Sequence, residues 1–288
     1  MGRIFTFGCS FTSYNWITWA DIICYGNRGI NLGQTGGGYD QILNKLIWAT
    51  NKYKINQNDT VVIMYPSLIR WDINNLSDGD KKVSTWSCWG QTTSSELVKY
   101  QYSLWTEESL IHRSLNTILA IKSFLEVNQI PHITTAMFDV FKYTDNYIGE
   151  GDVNSDIKDH MEYVKGESPL DVIDFKNYLI PESDEWDRKG IYKFGGEIDY
   201  HPTIIEHVNW LDDILIPRIG YDRVLDDKTI IELDEKVKSM SEFNHARVNH
   251  FFEKKTNLFY QKQDTRVYFD DEGITYPNPQ NGIYFNLR

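Results

Sequence analysis

An α/β fold, a parallel sheet with helices on both faces, is the fold class this sequence predicts, and three observations predict it. Strand-like apolar runs alternate with helical patterns from the first residues to about residue 137. The clearest of these runs, residues 59–65 (Asp-Thr-Val-Val-Ile-Met-Tyr), is almost continuously apolar, as a strand covered on both faces must be. Three of the runs end in turn-forming segments: Gly8-Cys9-Ser10-Phe11-Thr12, Gly33-Gln34-Thr35-Gly36-Gly37-Gly38 and Pro66-Ser67-Leu68-Ile69-Arg70-Trp71.

Each element has its own signal. Ile4, Phe5 and Phe7 form the first strand, and Gly8 permits a sharp turn. Residues 14–25 carry Trp16, Trp19, Ala20 and Ile23 at helical spacing and predict an amphipathic helix. Strand, turn and helix together put Ser10 at the carboxyl edge of a buried strand. Open α/β sheets bind ligands at that edge, and the N–H groups of the following helix can serve an anion there. Ser10 is thus the candidate nucleophile, against the simpler reading of a helix-capping serine.

Residues 30–32 predict a short second strand and residues 39–53 a second helix, joined by a glycine-rich turn. Those glycines let backbone approach a ligand and expose N–H groups, or make a plain flexible connection. No Gly-Lys-Ser/Thr follows, so the turn does not match a P-loop. After the third strand comes the 66–71 loop at the same edge. Residues 72–105 lack periodicity and hold Trp86, Trp89, Tyr100, Tyr102 and Trp105, which pack locally or line a cleft. Residues 106–128 give the longest helical pattern and 130–137 a fourth strand.

From 138 to 196 the pattern breaks into a polar, acidic stretch, read as an insertion or lid. Thr203 and Glu206 have capping-box spacing, which predicts a helix from Thr203 to about Ile216. Beyond Pro217, a charged helix near 227–242 precedes a Tyr- and Asn-rich tail with weak strand signals. The expected organisation is one α/β domain over 1–218, with insertions near 72–105 and 138–196, and a C-terminal extension over 219–288.

Composition narrows the function. With 288 residues, 41% of them hydrophobic, the chain can bury a sizeable core. A formal net charge of -12 and the lack of a basic run argue against a nucleic-acid partner. Cys9, Cys24 and Cys88 are odd in number without CxxC spacing, so neither a disulfide framework nor a zinc site is indicated, and no cofactor motif appears. No signal-peptide pattern and no apolar run of about 20 residues is visible, so the expectation is a cytoplasmic protein without a membrane partner.

The histidines separate by context. His112 falls in a long helix, His132 in a strand, and His160, His245 and His250 in polar surroundings. His207 follows His201 at a spacing that could hold a metal, but no third ligand with sensible spacing stands out, so no metal site is expected. Only His201 has an acidic residue two positions before it, a proline after it and a capped helix to hold it. A serine nucleophile needs a base to take its proton, and the base needs a carboxylate to fix its tautomer. Ser10, Asp199 and His201 supply those three roles.

At these residues the chain resembles the SGNH or GDSL hydrolases. The resemblance lies in Gly8-Cys9-Ser10-Phe11-Thr12, in Asn31-Leu32-Gly33 with the glycines after it, and in Asp199-Tyr200-His201-Pro202, and it covers most of residues 3–216. It implies a flavodoxin-like three-layer α/β/α sandwich. It also implies cleavage of esters of lipids or sugars, or transfer of acetyl groups, with Ser10 as nucleophile and His201 as base; the expected reaction is cleavage of a small acyl ester, an O-acetyl group on a carbohydrate. The N–H groups of Ser10 and Gly33 would form part of the oxyanion hole. The compact start is similar to versions of the family encoded by tailed phages, which admits a virion setting and association with a virion or an oligomer.

Two positions depart from the family pattern. Its third block supplies an oxyanion asparagine, where this chain offers Ser67 or Arg70. Its acid stands three positions before the histidine, where this chain has Ile198; Asp199 is one step closer, and Glu197 is the alternative. The competing reading is a non-catalytic binding or structural module that kept the fold and lost the oxyanion asparagine.

Overall fold

The computed structural model describes residues 2–14, 16–70, 72, 106–141, 155–179, 192–194, 197–239, 259–260 and 266–267. Apart from Asp72, the expected insertion near 72–105 with its aromatic residues lies outside them. So do Trp71, Gly195, Gly196, His245, His250 and parts of the 138–196 stretch and of the tail.

Four parallel strands make the centre: β1 (Ile4–Gly8), β2 (Ile30–Asn31), β3 (Thr60–Tyr65) and β4 (His132–Ala136), in the spatial order β4-β3-β1-β2. This is the flavodoxin-like order, in which the chain goes from β1 to one side and then returns past it to the other. Right-handed crossovers then put the connecting helices on opposite faces. Helix α1 (Trp19–Cys24) follows β1, α2 (Tyr39–Tyr53) follows β2, and α3 (Glu107–Val127) precedes β4. α2 packs on α3, and α3 on α4 (Ser155–Glu167). On the other face α1 packs on α6 (Ile204–Trp210), which also meets the short α5 (Phe175–Leu179) and α8 (Asp227–Lys238). Every residue of β1 is buried, as a strand covered by two helix layers should be.

Three elements differ from the sequence expectation. The first helix starts at Trp19, not near Tyr14, because the Asp21 carboxylate accepts the Thr18 N–H at 2.9 Å and the Thr18 hydroxyl at 3.2 Å, which sets the helix start there. Tyr14 and Trp16 are therefore loop residues. The helix from Thr203 does not stop at Ile216: a π-helical stretch (Leu211–Leu215) joins α6 to α7 (Ile216–Ile219), which ends on Gly220 in the left-handed region. Pro217 explains the wider turn, since it has no N–H to give and its ring crowds the preceding turn. The stretch read as an unpatterned insertion contains α4, α5 and β5 (Tyr192–Phe194), which pairs antiparallel with β6 (Glu197–Asp199). From the tail, β7 (Phe259–Tyr260) and β8 (Arg266–Val267) extend the main sheet, β8 running antiparallel to β2.

Candidate active site

The ends of β1, β2 and β3 bring three loops to the carboxyl edge of the sheet. β1 and β3 are the strands between which the order reverses, the position where open α/β sheets place ligands. Ser10 stands two residues past β1. Gly8 permits the turn there: with φ of +157°, a Cβ on it would fall 2.1 Å from Thr12 Oγ1 and 2.7 Å from the Met64 carbonyl oxygen. The turn closes as the N–H groups of Thr12 and Ser13 both donate to the Cys9 carbonyl at 3.0 Å, leaving the N–H groups of Ser10 and Phe11 out of it. Helix α1 begins nine residues after Ser10, so no helix N-terminus backs the serine; the tight turn takes its place. Cys9 is fully buried and turned to Met137, sulfur to sulfur at 3.8 Å.

His201 comes to the same edge from the other end of the chain. Its Nδ1 bonds Asp199 Oδ1 at 2.8 Å, and its backbone N–H donates to the same oxygen at 3.0 Å. Asp199 is thus the carboxylate that the ring bonds, and Glu197, the alternative offered by the sequence, is the first residue of β6. Burial pushes the Asp199 carboxyl up, but the bonds and charge of His201 and the Tyr14 hydroxyl outweigh it and hold it below the usual range. With Nδ1 occupied as donor, Nε2 of a neutral ring is the acceptor. Phe11, next to Ser10, meets the imidazole edge-on at 5.5 Å, and Tyr14 stacks on it with centroids 3.6 Å apart. The Ser10 turn is thereby packed against His201. Among the described residues the His201 ring bonds Asp199 and not the Ser10 hydroxyl.

The loop bearing His201 is anchored from several sides. Trp16 Nε1 donates to the Pro202 carbonyl at 2.8 Å, and the Ile204 N–H donates to the Tyr192 hydroxyl at 3.0 Å. Tyr192 in turn donates to Asp234 of α8 at 2.5 Å. The Thr203 N–H donates to Glu206 Oε2 at 2.7 Å, one arm of the capping box the sequence predicts.

The second and third loops supply the remaining polar groups. The Gly33 N–H donates to Asn31 Oδ1 at 2.9 Å, a bond within the loop. Further along, the Gly37 N–H closes a turn onto the Gln34 carbonyl at 2.9 Å, and Gly36 takes the left-handed φ of +77° which that turn needs. Thr35 ties this turn to the first loop by donating to the Ser13 carbonyl at 2.8 Å. Ser67 is buried in the third loop, and its carbonyl accepts the Arg70 N–H at 3.1 Å. Arg70 reaches the Gly37 carbonyl at 3.4 Å; among the described residues its buried Nε has no hydrogen-bond partner and its guanidinium makes no ion pair. The Tyr65 hydroxyl and both side-chain amide atoms of Gln41 are likewise buried without hydrogen-bond partners among the described residues.

Two buried carboxyls belong to this edge and were not singled out in the sequence. Asp72 accepts the Gly38 N–H at 2.9 Å and the Gln41 N–H at 2.7 Å, tying the start of α2 to the third loop. Burial raises it to about 6 despite those bonds. Asp174, just ahead of α5, is raised to about 7 by burial first and then by the Asp139 charge. Neither carries a local motif, because the contacts that define them come from other strands and loops. His207 is buried with its ring against Phe175 at 5.1 Å, and among the described residues no group of three or more His, Cys, Asp or Glu could hold a metal. Among the described residues no helix is long and apolar enough to cross a membrane.

No protein-family model matches the chain, and no curated protein matches it. Among solved structures the chain is similar to a member of the lipolytic protein G-D-S-L family from Veillonella parvula DSM 2008 at 14% sequence identity. The match covers 76% of this chain and 100% of that one, with a TM-score of 0.42. The fold assignment itself rests on the strand order and the two helix layers described above, a parallel α/β sheet of the flavodoxin-like kind.

Proposed function

We propose that this chain is a serine hydrolase that cleaves a small acyl ester, an O-acetyl group on a carbohydrate, through an acyl-enzyme on Ser10. The observation that carries the reading is the Asp199–His201 pair packed against the Ser10 turn at the reversal point of the sheet. In the reaction, His201 Nε2 takes the Ser10 proton as Oγ attacks the acyl carbon. The tetrahedral intermediate collapses when its C–O bond to the sugar breaks and the departing oxygen takes that proton from Nε2. Water then attacks the acyl-enzyme, giving its proton to Nε2, and the carboxylic acid leaves as Ser10 recovers a proton. A sugar hydroxyl in place of water would make the same intermediate an acyl donor, the transferase version of this chemistry.

Negative charge on the acyl oxygen needs donors. The Ser10 N–H, unused by its own turn, is one, and Arg70, with a buried Nε lacking a partner, is the second. Ser67 is the shorter-range alternative to Arg70 in the same loop. The test is turnover of p-nitrophenyl acetate together with covalent labelling by a fluorophosphonate. Label on Ser10, lost in Ser10→Ala, is the expected result. Wild-type protein that neither turns over the ester nor takes the label overturns the reading in favour of a non-catalytic module.

A further inference from the structure

Tyr14 is absent from the triad logic, yet it touches both partners of the Asp–His pair. Its hydroxyl donates to Asp199 Oδ2 at 2.8 Å, while Asp199 Oδ1 serves His201. Its ring lies flat on the imidazole, with centroids 3.6 Å apart and planes 18° from parallel. An imidazole fixed only through Nδ1 can still swing about that bond, because one hydrogen bond sets a direction and not a plane. A flat ring on one face, with Phe11 edge-on at 5.5 Å, removes that freedom.

The carboxylate has the same need. Asp199 lies two residues before His201 and holds both its backbone and side-chain nitrogens through one oxygen, so its other oxygen requires a separate anchor. Tyr14 provides it from a different loop, the one that begins at Ser10. We infer that Tyr14 is a positioning residue, which sets the plane of the His201 ring and the rotation of the Asp199 carboxylate so that Nε2 is held toward the Ser10 turn. The inference rests on the serine-hydrolase reading for its effect on turnover, but not for its effect on the ring. Burial, and after it the Asp199 charge, push the Tyr14 phenol far up, so it remains a donor at any working pH. Tyr14 is itself braced by Trp16, edge-on at 4.7 Å, whose indole N–H holds the Pro202 carbonyl. The brace and the braced loop thus belong to one unit.

The two roles of Tyr14 separate by substitution. Tyr14→Phe keeps the stacked ring and drops the hydroxyl; Tyr14→Leu drops both. With p-nitrophenyl acetate, Tyr14→Phe should lower kcat roughly tenfold and Tyr14→Leu on the order of 10²-fold, with KM little changed in either, as misplacement of a catalytic group requires. The second readout needs no turnover: the downfield proton NMR signal of the His201 Nδ1–H in its bond to Asp199. It should be sharp in wild type, weakened in Tyr14→Phe and lost to water exchange in Tyr14→Leu. An unchanged signal and unchanged kcat in Tyr14→Leu would overturn the inference. If wild type takes no fluorophosphonate, the hydrolase reading fails by itself, and loss or retention of the signal in Tyr14→Leu still decides what Tyr14 does.

Discussion

The two edges of the parallel sheet hold their buried carboxyls in different ways. At the amino edge, Asp59 accepts the Arg3 backbone N–H at 3.1 Å, its Nε at 3.0 Å and its Nη2 at 2.8 Å, as well as the Asn56 N–H at 3.1 Å. Burial pushes this carboxyl up, but the Arg3 bonds prevail and hold it below the ordinary value. At the carboxyl edge, Asp72 accepts, among the described residues, only backbone N–H groups and is raised to about 6, and Asp174 is raised to about 7. Arg70 Nε, the Tyr65 hydroxyl and the Gln41 side-chain amide are buried there with no hydrogen-bond partner among the described residues. Folding alone favours the first arrangement, since buried polar groups without partners cost stability.

Substitutions can break this contrast, and the largest effect belongs to the carboxyl edge. Ser10→Ala should reduce ester turnover by about 10³-fold or more while leaving the melting temperature within error, because only one hydroxyl is removed. Full activity in a purified Ser10→Ala protein would end the assignment. Arg70→Ala should lower kcat by about 10²–10³ with little change in KM, the signature of a lost oxyanion donor. A fall in melting temperature with kcat intact would instead make Arg70 a structural group.

The amino edge should respond the other way. Asp59→Ala leaves the Arg3 guanidinium and two backbone N–H groups without their acceptor and should cost about 3 kcal/mol in urea unfolding, with kcat per folded molecule unchanged. pH sharpens the comparison further. Asp59, with a folded pKa below its unfolded one, gives stability that is present above the unfolded value and is lost as pH falls through the folded value. Asp72 and Asp174 have the reverse sign: in the folded state they bind protons that the unfolded chain releases near 3.8, so stability falls as pH rises toward about 6 and about 7. Asp72→Asn should therefore flatten the upper part of the stability–pH curve and leave the acid limb in place, as measured by urea unfolding at a series of pH values.

The sequence made some of this legible and hid the rest for identifiable reasons. Strand β3 and helix α2 carry uninterrupted local patterns, and α2 begins and ends at the residues the periodicity names. The Asp199–His201 bond was within reach because the two residues lie close together in the chain. Trp16 and Trp19 sit at helical spacing, but only Trp19 is in the helix, because the Thr18–Asp21 interaction sets the start. Asp72 and Tyr14 could not have been found, since Asp72 meets its partner N–H groups across 31 or more positions and Tyr14 meets Asp199 across 185. Gly33 shows the converse: a motif names the residue, and one side-chain contact from Asn31 takes its N–H.

The antiparallel pairing of β8 with β2 also has a consequence in time. Strand β2 has only two residues, and while one side of it meets β1, the other is completed by Ile30 with Val267 and Asn31 with Arg266. Closing that pairing spans nearly the whole chain, so loop-closure entropy must be met before the contact returns anything. During synthesis the first strands are made long before their last neighbour. Until it arrives, the backbone groups on the outer side of β2 form an open sheet edge, available to any other extended segment, beside the glycine turn that leads into the candidate site.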